Sequence, residues 1–515
     1  MRILFVTPST GGEYFTINIG LTSIATYLVK RTRHEARILD FSFCRSRWRE
    51  RLRREMLRFG PDVIGITLLS THGFSAREIV SEIRRIDPGI KIIGGGHHAT
   101  ITQGKVFEEL DIDAICIGDG EYATEEYLDR LEEGRSLEGL KGVWFRDGEA
   151  VIENPTRPAI KNLADLPAPD WKFWSDFDRH LQTFQMFPVI GQRNCPHRCT
   201  YCSATIVRER VGVGIRFLDP IVYARQVREA WERWRGPYLK IAWMWDPVFT
   251  IKPSWMRKFL EEYERLDLVG RLPYSIYSRI DELDEERARL LHETGCLKVR
   301  TGIESGDEFI RNKVYEKGLS AEQIEYAVNL CRRYDLSLTA YFCVGAPGET
   351  RRSLHRTKIL ARRTAAETTV FHVWKPLPGT KAVDKLREFG GKMSDRWARE
   401  VVDITRTSFI TTPYIGPFTI GWFQTRVLTA MTLRKVFSQL WYQKHRFFVN
   451  FFRYIALCRR NGFKLFDMLK NFTYVNGVDI LIDNARRKGM LRGRPGGVFQ
   501  DLSFREERDR SRIYH

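Results

Sequence analysis

The segment that decides the fold and the chemistry is Arg193-Asn194-Cys195-Pro196-His197-Arg198-Cys199-Thr200-Tyr201-Cys202. Its three cysteines have the spacing CxxxCxxC and follow an apolar run at 188–192 that predicts a strand. A loop of this size can wrap three thiolates around one face of an iron–sulfur cubane. A [4Fe-4S] cluster has four irons, so three cysteines leave one iron able to chelate a small molecule through amino and carboxylate groups. The segment therefore predicts such a cluster.

Two other interpretations of these cysteines are a tetrahedral zinc site and buried free thiols. Zinc requires a fourth ligand, and His197 lies inside the loop at a spacing unlike that of the usual zinc pairs. Nine cysteines in 515 residues are too few for a disulfide scaffold. We expect Arg193 and Arg198 to help keep the thiols deprotonated.

Residues 186–385, which surround this loop, alternate between apolar runs and helix-like segments. The candidate strands are 188–192, 239–245, 274–279, 298–303, 337–344 and 369–375. Helical spacing is clearest in 220–235 and 254–266. Six strands at this spacing predict an open or complete (β/α) barrel with its chemistry at the carboxyl ends of the strands.

The cysteine motif, with an aromatic residue before its last cysteine, resembles that of the radical S-adenosylmethionine (SAM) superfamily. Other segments match that family's motifs in the same order. They are Asp246-Pro247-Val248-Phe249-Thr250, Ser278-Arg279-Ile280-Asp281, Thr301-Gly302-Ile303-Glu304-Ser305-Gly306, Val344-Gly345-Ala346-Pro347-Gly348-Glu349-Thr350 and Lys375-Pro376-Leu377-Pro378-Gly379-Thr380. Glycines at these strand ends let the backbone approach a ligand closely.

The resemblance implies that Cys195, Cys199 and Cys202 hold the cluster and that SAM binds its open iron. The reduced cluster would cleave SAM to a 5′-deoxyadenosyl radical, with electrons from a ferredoxin or flavodoxin. The implied SAM-binding residues are Tyr201, Asp246, Arg279, Gly302, Glu304, Ser305, Gly345 and Pro347. Arg279 would pair with the SAM carboxylate, and Glu304 would accept from the amino group or the ribose hydroxyls.

Residues 1–135 show a second βαβ alternation. The apolar runs are 3–7, 35–39, 63–68, 90–93 and 114–117, with helical spacing in 20–31 and 75–85. This pattern predicts a doubly wound, Rossmann-like parallel sheet that binds ligands at the carboxyl ends of its strands. A conventional dinucleotide domain would carry GxGxxG after the first strand, and 7–12 lacks it.

This first domain resembles the cobalamin-binding domain that precedes the barrel in a large radical SAM branch. The resemblance rests on Ser70-Thr71, on Gly94-Gly95-Gly96-His97 with Thr100, and on Gly118-Asp119-Gly120-Glu121. The implied cobalamin contacts are Thr7, Ser70, Thr71, Gly94, Gly95, His97, Gly118, Gly120 and Glu121. The DxHxxG signature that supplies an imidazole to cobalt is absent. The lower face of the cobalt would then hold water, be empty or contact some other side chain, for which His72, His97 and His98 are the local candidates.

Two regions lie outside these domains. Residues 136–185 are rich in proline and are interpreted as a linker with a small β excursion around 143–152. Residues 386–515 predict a mostly helical, basic and aromatic C-terminal domain that caps the substrate. Within it, 444–454 interleaves aromatic residues with cations, which suits an interfacial amphipathic helix, an anion site, or a cap helix packed on the barrel with its arginines in solvent. We favour the packed cap helix.

The formal net charge of +19 favours anionic partners. The N-terminus predicts a strand rather than a signal peptide, and the longest uncharged stretch, 407–425, is interrupted by prolines and glycines. We therefore expect a cytoplasmic monomer with peripheral membrane contact as an option. No nucleic-acid-binding module such as an RRM, KH or helix-turn-helix element is predicted, so no nucleic-acid partner is expected.

The resemblance implies methylation of an unactivated carbon, less often of phosphorus, on a small or lipid-like and anionic substrate. Methylcobalamin would supply the methyl group after one SAM had charged it, and a second SAM would yield the radical. An alternative with the same cofactors is the oxidation performed by anaerobic porphyrin-ring cyclases. A third is a non-catalytic iron–sulfur or corrinoid carrier. The sequence assigns no catalytic acid or base and leaves the substrate open.

Overall fold

The computed structural model of the chain describes residues 1–8, 17–236, 238–394, 408, 410–460 and 465–492. Two α/β units come first, and a group of long helices follows them. The predicted α/β class, with a sheet domain, a partial barrel and a helical C-terminal region, is confirmed. The predicted C-terminal domain extends to 515, but 493–515 lies outside the described residues.

The N-terminal unit is built on one seven-stranded sheet. Its strands are β1 Arg2–Val6, β2 Glu35–Leu39, β3 Val63–Thr67, β4 Lys91–Gly95, β5 Ala114–Cys116, β6 Val143–Asp147 and β7 Ala150–Ile152. Its helices are α1 Ile19–Arg31, α2 Trp48–Phe59, α3 Gly73–Ile86, α4 His97–Thr102, α5 Val106–Glu109 and α6 Glu121–Glu132. All five residues of β3 are buried because helices cover both faces of the sheet, as apolar parallel strands require.

The order β2-β1-β3-β4-β5-β6-β7 corrects the sequence-based expectation of a purely parallel sheet followed by a linker. Strands β1 to β5 are parallel, whereas β6 pairs antiparallel with β5 and β7 pairs antiparallel with β6. The β excursion at 143–152 is therefore a hairpin that extends the N-terminal sheet. Its turn contains Gly148 at φ +60, a conformation that glycine adopts without strain.

The second unit is an open barrel of six parallel strands. Its strands and the small ribbon beside them are β8 Met186–Val189, β9 Gln192–Arg193, β10 Arg216–Phe217, β11 Ile241–Met244, β12 Tyr274–Tyr277, β13 Cys296–Glu304, β14 Ser337–Val344 and β15 Thr368–Val373. The helices are α7 Phe177–Phe184, α8 Ser203–Val211, α9 Pro220–Trp234, α10 Pro253–Arg265, α11 Glu285–Glu293, α12 Ala321–Arg333, α13 Arg351–Arg363 and α14 Lys381–Glu388.

Alternation along the barrel strands sends every second side chain into the barrel and the others against the helices. On β13, Val299 and Ile303 join the core between strands and helices. Lys298, Arg300 and Glu304 therefore face inward. The sheet order β15-β14-β13-β12-β11-β8 brings the carboxyl ends of all six strands to one rim, where the predicted motifs meet.

The C-terminal region contains a short ribbon and three helices. Their bounds are β16 Lys392–Met393, β17 Ile410–Thr411, α15 Pro417–Gln443, α16 His445–Arg460 and α17 Leu465–Arg487. Phe447 and Tyr454 are buried in one apolar cluster with Trp243 of the barrel. A buried ion pair between Lys240 and Asp479 ties α17 to the barrel at 2.5 Å. Within the described residues, every helix is too short or too polar to span a lipid bilayer.

Candidate functional site

The cysteine loop runs from β9 to α8 at the rim of the barrel. Asn194 adopts φ +69, and its side-chain Nδ2 donates to the carbonyls of Val213 and Gly214 at 3.2 and 3.1 Å. Arg208 Nη1 donates to the Cys195 carbonyl at 2.7 Å. These contacts fix the start of the loop. The backbone N–H of Cys202 donates to the Cys199 carbonyl at 3.1 Å, which closes its end just before α8.

Two cations other than the predicted ones act on the thiols. Burial raises the pKa of Cys202 to about 11, and the charge of Lys317 opposes that rise. Arg279 Nη1 lies 3.9 Å from Cys199 Sγ. The expectation that Arg193 and Arg198 keep the thiols deprotonated is wrong. Arg193 is paired with carboxylates of the N-terminal unit, and Arg198 is exposed. Arg279 and Lys317 favour thiolates at this position.

The geometry of the loop disfavours a single zinc ion. Among the described residues, no three His, Cys, Asp or Glu side chains converge on one point as ligands of one metal ion. Cysteines that bind different irons of a cubane do not need to converge in this way. The His197 imidazole lies 4.0 Å from Glu282, and burial together with the charge of Arg279 lowers its pKa to about 4.

Glu304 is the centre of a polar cluster beside the cysteine loop. Its Oε1 accepts from Tyr201 Oη at 2.7 Å and from Lys317 Nζ at 3.0 Å. Glu304 has φ +68 and follows a register shift in β13, so its side chain turns over Gly302. A Cβ atom at Gly302 would lie 2.0 Å from Glu304 Oε1, so a larger residue there would displace the Glu304 carboxylate. Three predicted SAM residues therefore meet at one place, with Lys317 added.

Arg279 is anchored next to this cluster. It forms a bidentate pair with Asp281 at 3.0 and 2.7 Å, and its Nη2 also donates to the Lys317 carbonyl at 2.8 Å. Although burial disfavours its charge, Asp281 and Cys199 raise the pKa of Arg279. The Arg279 guanidinium is therefore held in place beside Cys199 and Lys317. A guanidinium fixed in this way can bind a ligand carboxylate without moving.

The remaining predicted SAM residues have structural partners. Asp246 is fully buried, accepts from Gly191 N at 2.7 Å and from Tyr223 Oη at 2.8 Å, and burial raises its pKa to about 7. It fastens the end of β8 to the end of β11. Ser305 is also fully buried and lies 3.1 Å from Thr357 Oγ1. Both side chains are therefore engaged with the protein itself.

The turn after β14 belongs to the same rim. Gly345 has φ +84, and its N–H donates to Glu349, which also accepts from Ala346 N at 3.2 Å. Burial raises the pKa of Glu349 to about 8. Pro347 is buried in this turn. Ile420 of α15 would lie 3.1 Å from a Cβ at Gly345, so the C-terminal helix approaches the rim here.

A cavity of about 580 Å³ opens at the carboxyl edge of the N-terminal sheet. Seven of the nine predicted cobalamin contacts line it, namely Thr7, Gly94, Gly95, His97, Gly118, Gly120 and Glu121. Its other wall comes from the barrel unit and includes Asn194, Ala204 and Val207. The cavity therefore joins the glycine-rich strand ends directly to the residue before Cys195 and to the helix that follows Cys202.

The three histidines near this edge differ in their surroundings, and His72 lines the cavity. His98 has both ring nitrogens engaged, with Ser70 Oγ at 2.9 Å and Glu109 Oε2 at 2.8 Å. Ser70 and its neighbour Thr71 are outside the cavity lining, and Ser70 contacts His98. His97 lines the cavity, and solvent reaches it through the cavity. The protein atoms around its imidazole nevertheless lower its pKa by burial.

Two carboxylates of the predicted cobalamin motif, Asp119 and Glu121, also fasten the cysteine loop to the N-terminal unit. Arg193 donates to Glu121 Oε1 at 2.5 Å and to Asp119 Oδ1 at 3.0 Å, and Arg216 pairs with Asp119 as well. Although burial disfavours its charge, Glu121 and Asp119 raise the pKa of Arg193. Sequence reasoning missed these pairs, because their members lie on separate domains and no motif links them.

Aromatic rings line the inside of the barrel below the rim. The series is Trp245, Trp243, Tyr277, Tyr341 and His372, with successive ring centroids 5.0, 5.9, 6.4 and 5.7 Å apart. Trp245 also lines the cavity, so this series of rings extends from the cavity into the barrel. The Arg300 guanidinium lies 4.4 Å from the centre of the Trp243 ring and adds a positive charge. We call these five rings the aromatic wall.

Comparison with known proteins identifies the two units. The sequence matches the B12 binding domain family over residues 11–128 and the Radical SAM superfamily over residues 189–361. It is 26% identical over 396 residues to an uncharacterized methyltransferase of Pyrococcus horikoshii. The match covers 74% of this chain and 82% of that protein. An anaerobic magnesium-protoporphyrin IX monomethyl ester cyclase of Cereibacter sphaeroides is 23% identical over 376 residues, or 72% of this chain and 58% of the cyclase.

The fold is similar to that of the radical SAM methyltransferase TsrM from Kitasatospora setae, solved with cobalamin and a [4Fe-4S] cluster. The TM-score is 0.60 at 20% identity, with 72% of each chain covered. The chain thus combines a B12-binding domain with a radical SAM domain, and its cofactors are cobalamin, a [4Fe-4S] cluster and SAM. The residues fit these groups: the glycine-lined cavity has room for a bulky ligand, and the cysteines lie beside Arg279 and Lys317.

Proposed function

We propose that this cobalamin-dependent radical SAM enzyme is a methyltransferase that delivers the methyl group of SAM to an unactivated carbon, or to phosphorus, of an apolar acceptor that carries an anionic group. The observation that carries the proposal is the shared cavity. It has the glycine-rich edge of the B12-binding domain on one side and Asn194, next to the cluster loop, on the other. When bound, the corrin supplies a carrier for the methyl group, and the reduced cluster supplies the electron that cleaves SAM.

Cys195, Cys199 and Cys202 would hold the cluster, and the polar cluster around Glu304 would hold SAM. Glu304 is an acceptor for an amino group or for hydroxyls, and Arg279 is a donor to a carboxylate. Both side chains are already fixed by partners, so they are positioned before the ligand arrives. Preorganised groups of this kind bind without a further cost of ordering.

The aromatic wall supports an apolar acceptor. Its rings lie on or beside β11, β12, β14 and β15, and the Arg300 guanidinium lies 4.4 Å from the centre of the Trp243 ring. Lys298 is also buried here, but Glu367 pairs with it at 2.6 Å, so it adds less positive charge. An acceptor lying along this wall would be shielded from water while its reacting atom pointed to the rim.

The same wall would also accommodate a large flat ring, which favours ring oxidation or cyclisation as the second candidate function. The relative named as a porphyrin-ester cyclase supports that candidate. Both candidates use the same cofactors. They differ in the fate of the SAM methyl group.

The test is incubation of anaerobically reconstituted protein with methyl-deuterated SAM, cobalamin, a reductant and a small-molecule extract. We expect an acceptor whose mass rises by one labelled methyl group, together with S-adenosylhomocysteine and 5′-deoxyadenosine. Formation of 5′-deoxyadenosine without labelled product would favour oxidation or cyclisation. A protein with an intact cluster that consumed no SAM would be a carrier, and the methyltransferase proposal would be wrong.

A further inference from the structure

The helices α15 and α16 expose a set of large apolar side chains. They are Phe418, Trp422, Leu433, Phe437, Trp441, Phe448 and Phe452, with 83, 60, 50, 65, 86, 51 and 66% of their surface accessible. We call this set the apolar face. The sequence favoured a cap helix with its aromatic residues packed and its cations in solvent. That expectation, which concerned 444–454, holds for Phe447 and Tyr454, which are buried, and is wrong for Phe448 and Phe452, which are exposed.

Helix α15 carries apolar residues on two opposite sides. At 100° per residue, Phe418, Trp422 and Leu433 lie opposite the side that packs on the barrel. Ile420 and Gln424 belong to the packed side, where Gln424 Nε2 donates to the Phe371 carbonyl at 2.8 Å. A helix that is apolar all round is normally buried all round. The described part of the chain buries one side of α15, so the other side has the composition of a contact surface.

The charge of this region identifies the kind of partner. Between residues 404 and 466 the sequence contains no Asp or Glu, whereas residues 417–460 contain eight Lys and Arg. Arg426 and Arg434 are exposed on α15, and Arg446 and Arg453 are exposed on α16. The apolar face is therefore interleaved along the sequence with charges of one sign. Exposed Trp and Phe beside Arg and Lys are typical of helices that lie in the interface of an anionic bilayer.

We propose that α15 and α16 dock the protein on the surface of an anionic lipid bilayer, with the apolar face among the acyl chains and the arginines at the phosphates. A second copy of the chain fits less well, since a symmetric contact would bring two positive surfaces together without a carboxylate between them. This attachment is peripheral and does not depend on the proposed reaction. It would hold the barrel at the membrane, where lipid-like molecules are concentrated.

The test is co-sedimentation of the full chain with vesicles of phosphatidylcholine alone or with phosphatidylglycerol. We expect binding to the anionic vesicles that weakens with salt, and little binding to the neutral ones. Trp422→Ser combined with Trp441→Ser should lower the partition coefficient by about tenfold or more. Arg426→Gln and Arg434→Gln should each lower it by about fivefold on anionic vesicles only.

The matched control is Leu57→Ser on α2, where an equally exposed apolar residue lies between Arg54 and Arg58. It should bind vesicles as the wild type does. Circular dichroism and thermal melting verify that each variant is folded. The proposal is overturned if the wild type does not bind anionic vesicles, or if the tryptophan variant binds as well as the control. It is also overturned if the same substitutions abolish a stable dimer or single-stranded nucleic-acid binding while vesicle binding is absent.

Discussion

The two parallel sheets end in edges of different character. The carboxyl edge of the N-terminal sheet is lined by glycines and surrounds a cavity of about 580 Å³. The carboxyl edge of the barrel is filled with polar side chains that contact one another, such as Glu304 with Lys317 and Arg279 with Asp281. The first edge offers space, which suits a bulky ligand recognised by shape. The second offers fixed charges, which suit a small ligand with an amino and a carboxylate group.

The cluster cysteines belong to the barrel edge, and their removal should have the largest effect. Cys199 is buried beside Arg279, so Cys199→Ala removes a ligand with little change in packing. We expect complete loss of the brown cluster absorbance and of SAM cleavage, with unchanged circular dichroism. Cobalamin binding at the other edge should persist. SAM cleavage by this variant would contradict the cluster assignment.

The ion pairs of Arg193 join the two edges, and breaking them should destabilise the protein. Arg193→Met leaves the buried Glu121 carboxylate without its cationic partner, which typically costs about 3 kcal/mol of unfolding free energy. The double variant Arg193→Met, Glu121→Met should be more stable than either single variant, because no lone charge remains. Urea unfolding of the apo protein measures this. Equal and additive losses would mean that the pair is not coupled.

A larger side chain at Gly95 would fill part of the cavity at the edge of the N-terminal sheet. A Cβ there has room, since its nearest neighbour is Cys116 Cβ at 3.7 Å, so Gly95→Leu should fold and fill part of the cavity. We expect its affinity for hydroxocobalamin to fall by about thirtyfold, measured by absorbance titration. Gly73→Leu, at a position with no atom within 4 Å and outside the cavity lining, is the matched control. If Gly95→Leu and Gly73→Leu bound hydroxocobalamin with equal affinity, the corrin would have to bind outside this cavity.

Charge at the barrel edge can be changed without a change in shape. Glu304→Gln keeps the size of the side chain but removes its negative charge next to Lys317 and Tyr201. We expect the dissociation constant for SAM to rise by about tenfold in calorimetric titration of the reconstituted protein. Hydroxocobalamin affinity should stay at the wild-type value. A change in cobalamin affinity of similar size would show that the two edges do not act separately.

The smallest expected effect is the pH dependence that Glu349 contributes. Burial raises the pKa of this carboxyl to about 8, so the folded protein prefers its protonated form. The stabilising contribution is complete below its ordinary pKa and is lost as the pH rises through about 8. Glu349→Gln should flatten the loss of stability between pH 5 and 9. Parallel melting-temperature profiles of the two proteins would contradict this prediction.

Much of the framework was predictable because parallel strands buried on both faces are continuous apolar runs. The bounds of β2 and β14 equal the predicted ones. The hairpin of β6 and β7 was interpreted as part of a linker, although Asp147-Gly148 between two apolar runs is a hairpin signal. The cysteine loop could be found from its spacing alone.

The parts that could not be predicted depend on contacts between distant segments. Lys317 follows no motif, yet β13 and the loop before α12 bring its Nζ to Glu304. Glu121 was assigned to cobalamin from its motif, and the structure adds Arg193, 72 residues away, as its partner. The exposure of Trp441 could also not be predicted from the sequence, because apolar residues on both sides of α15 do not indicate which side packs on the barrel.

Anaerobic isolation followed by analysis of bound iron, sulfide, zinc and cobalt is the most direct test of the central claim that two cofactor edges meet at one cavity. We predict about four irons and four sulfides per chain at the cysteine loop, with about one equivalent of cobalamin after reconstitution. Stoichiometric zinc with no iron, or a full cluster with no cobalamin bound, would contradict the account.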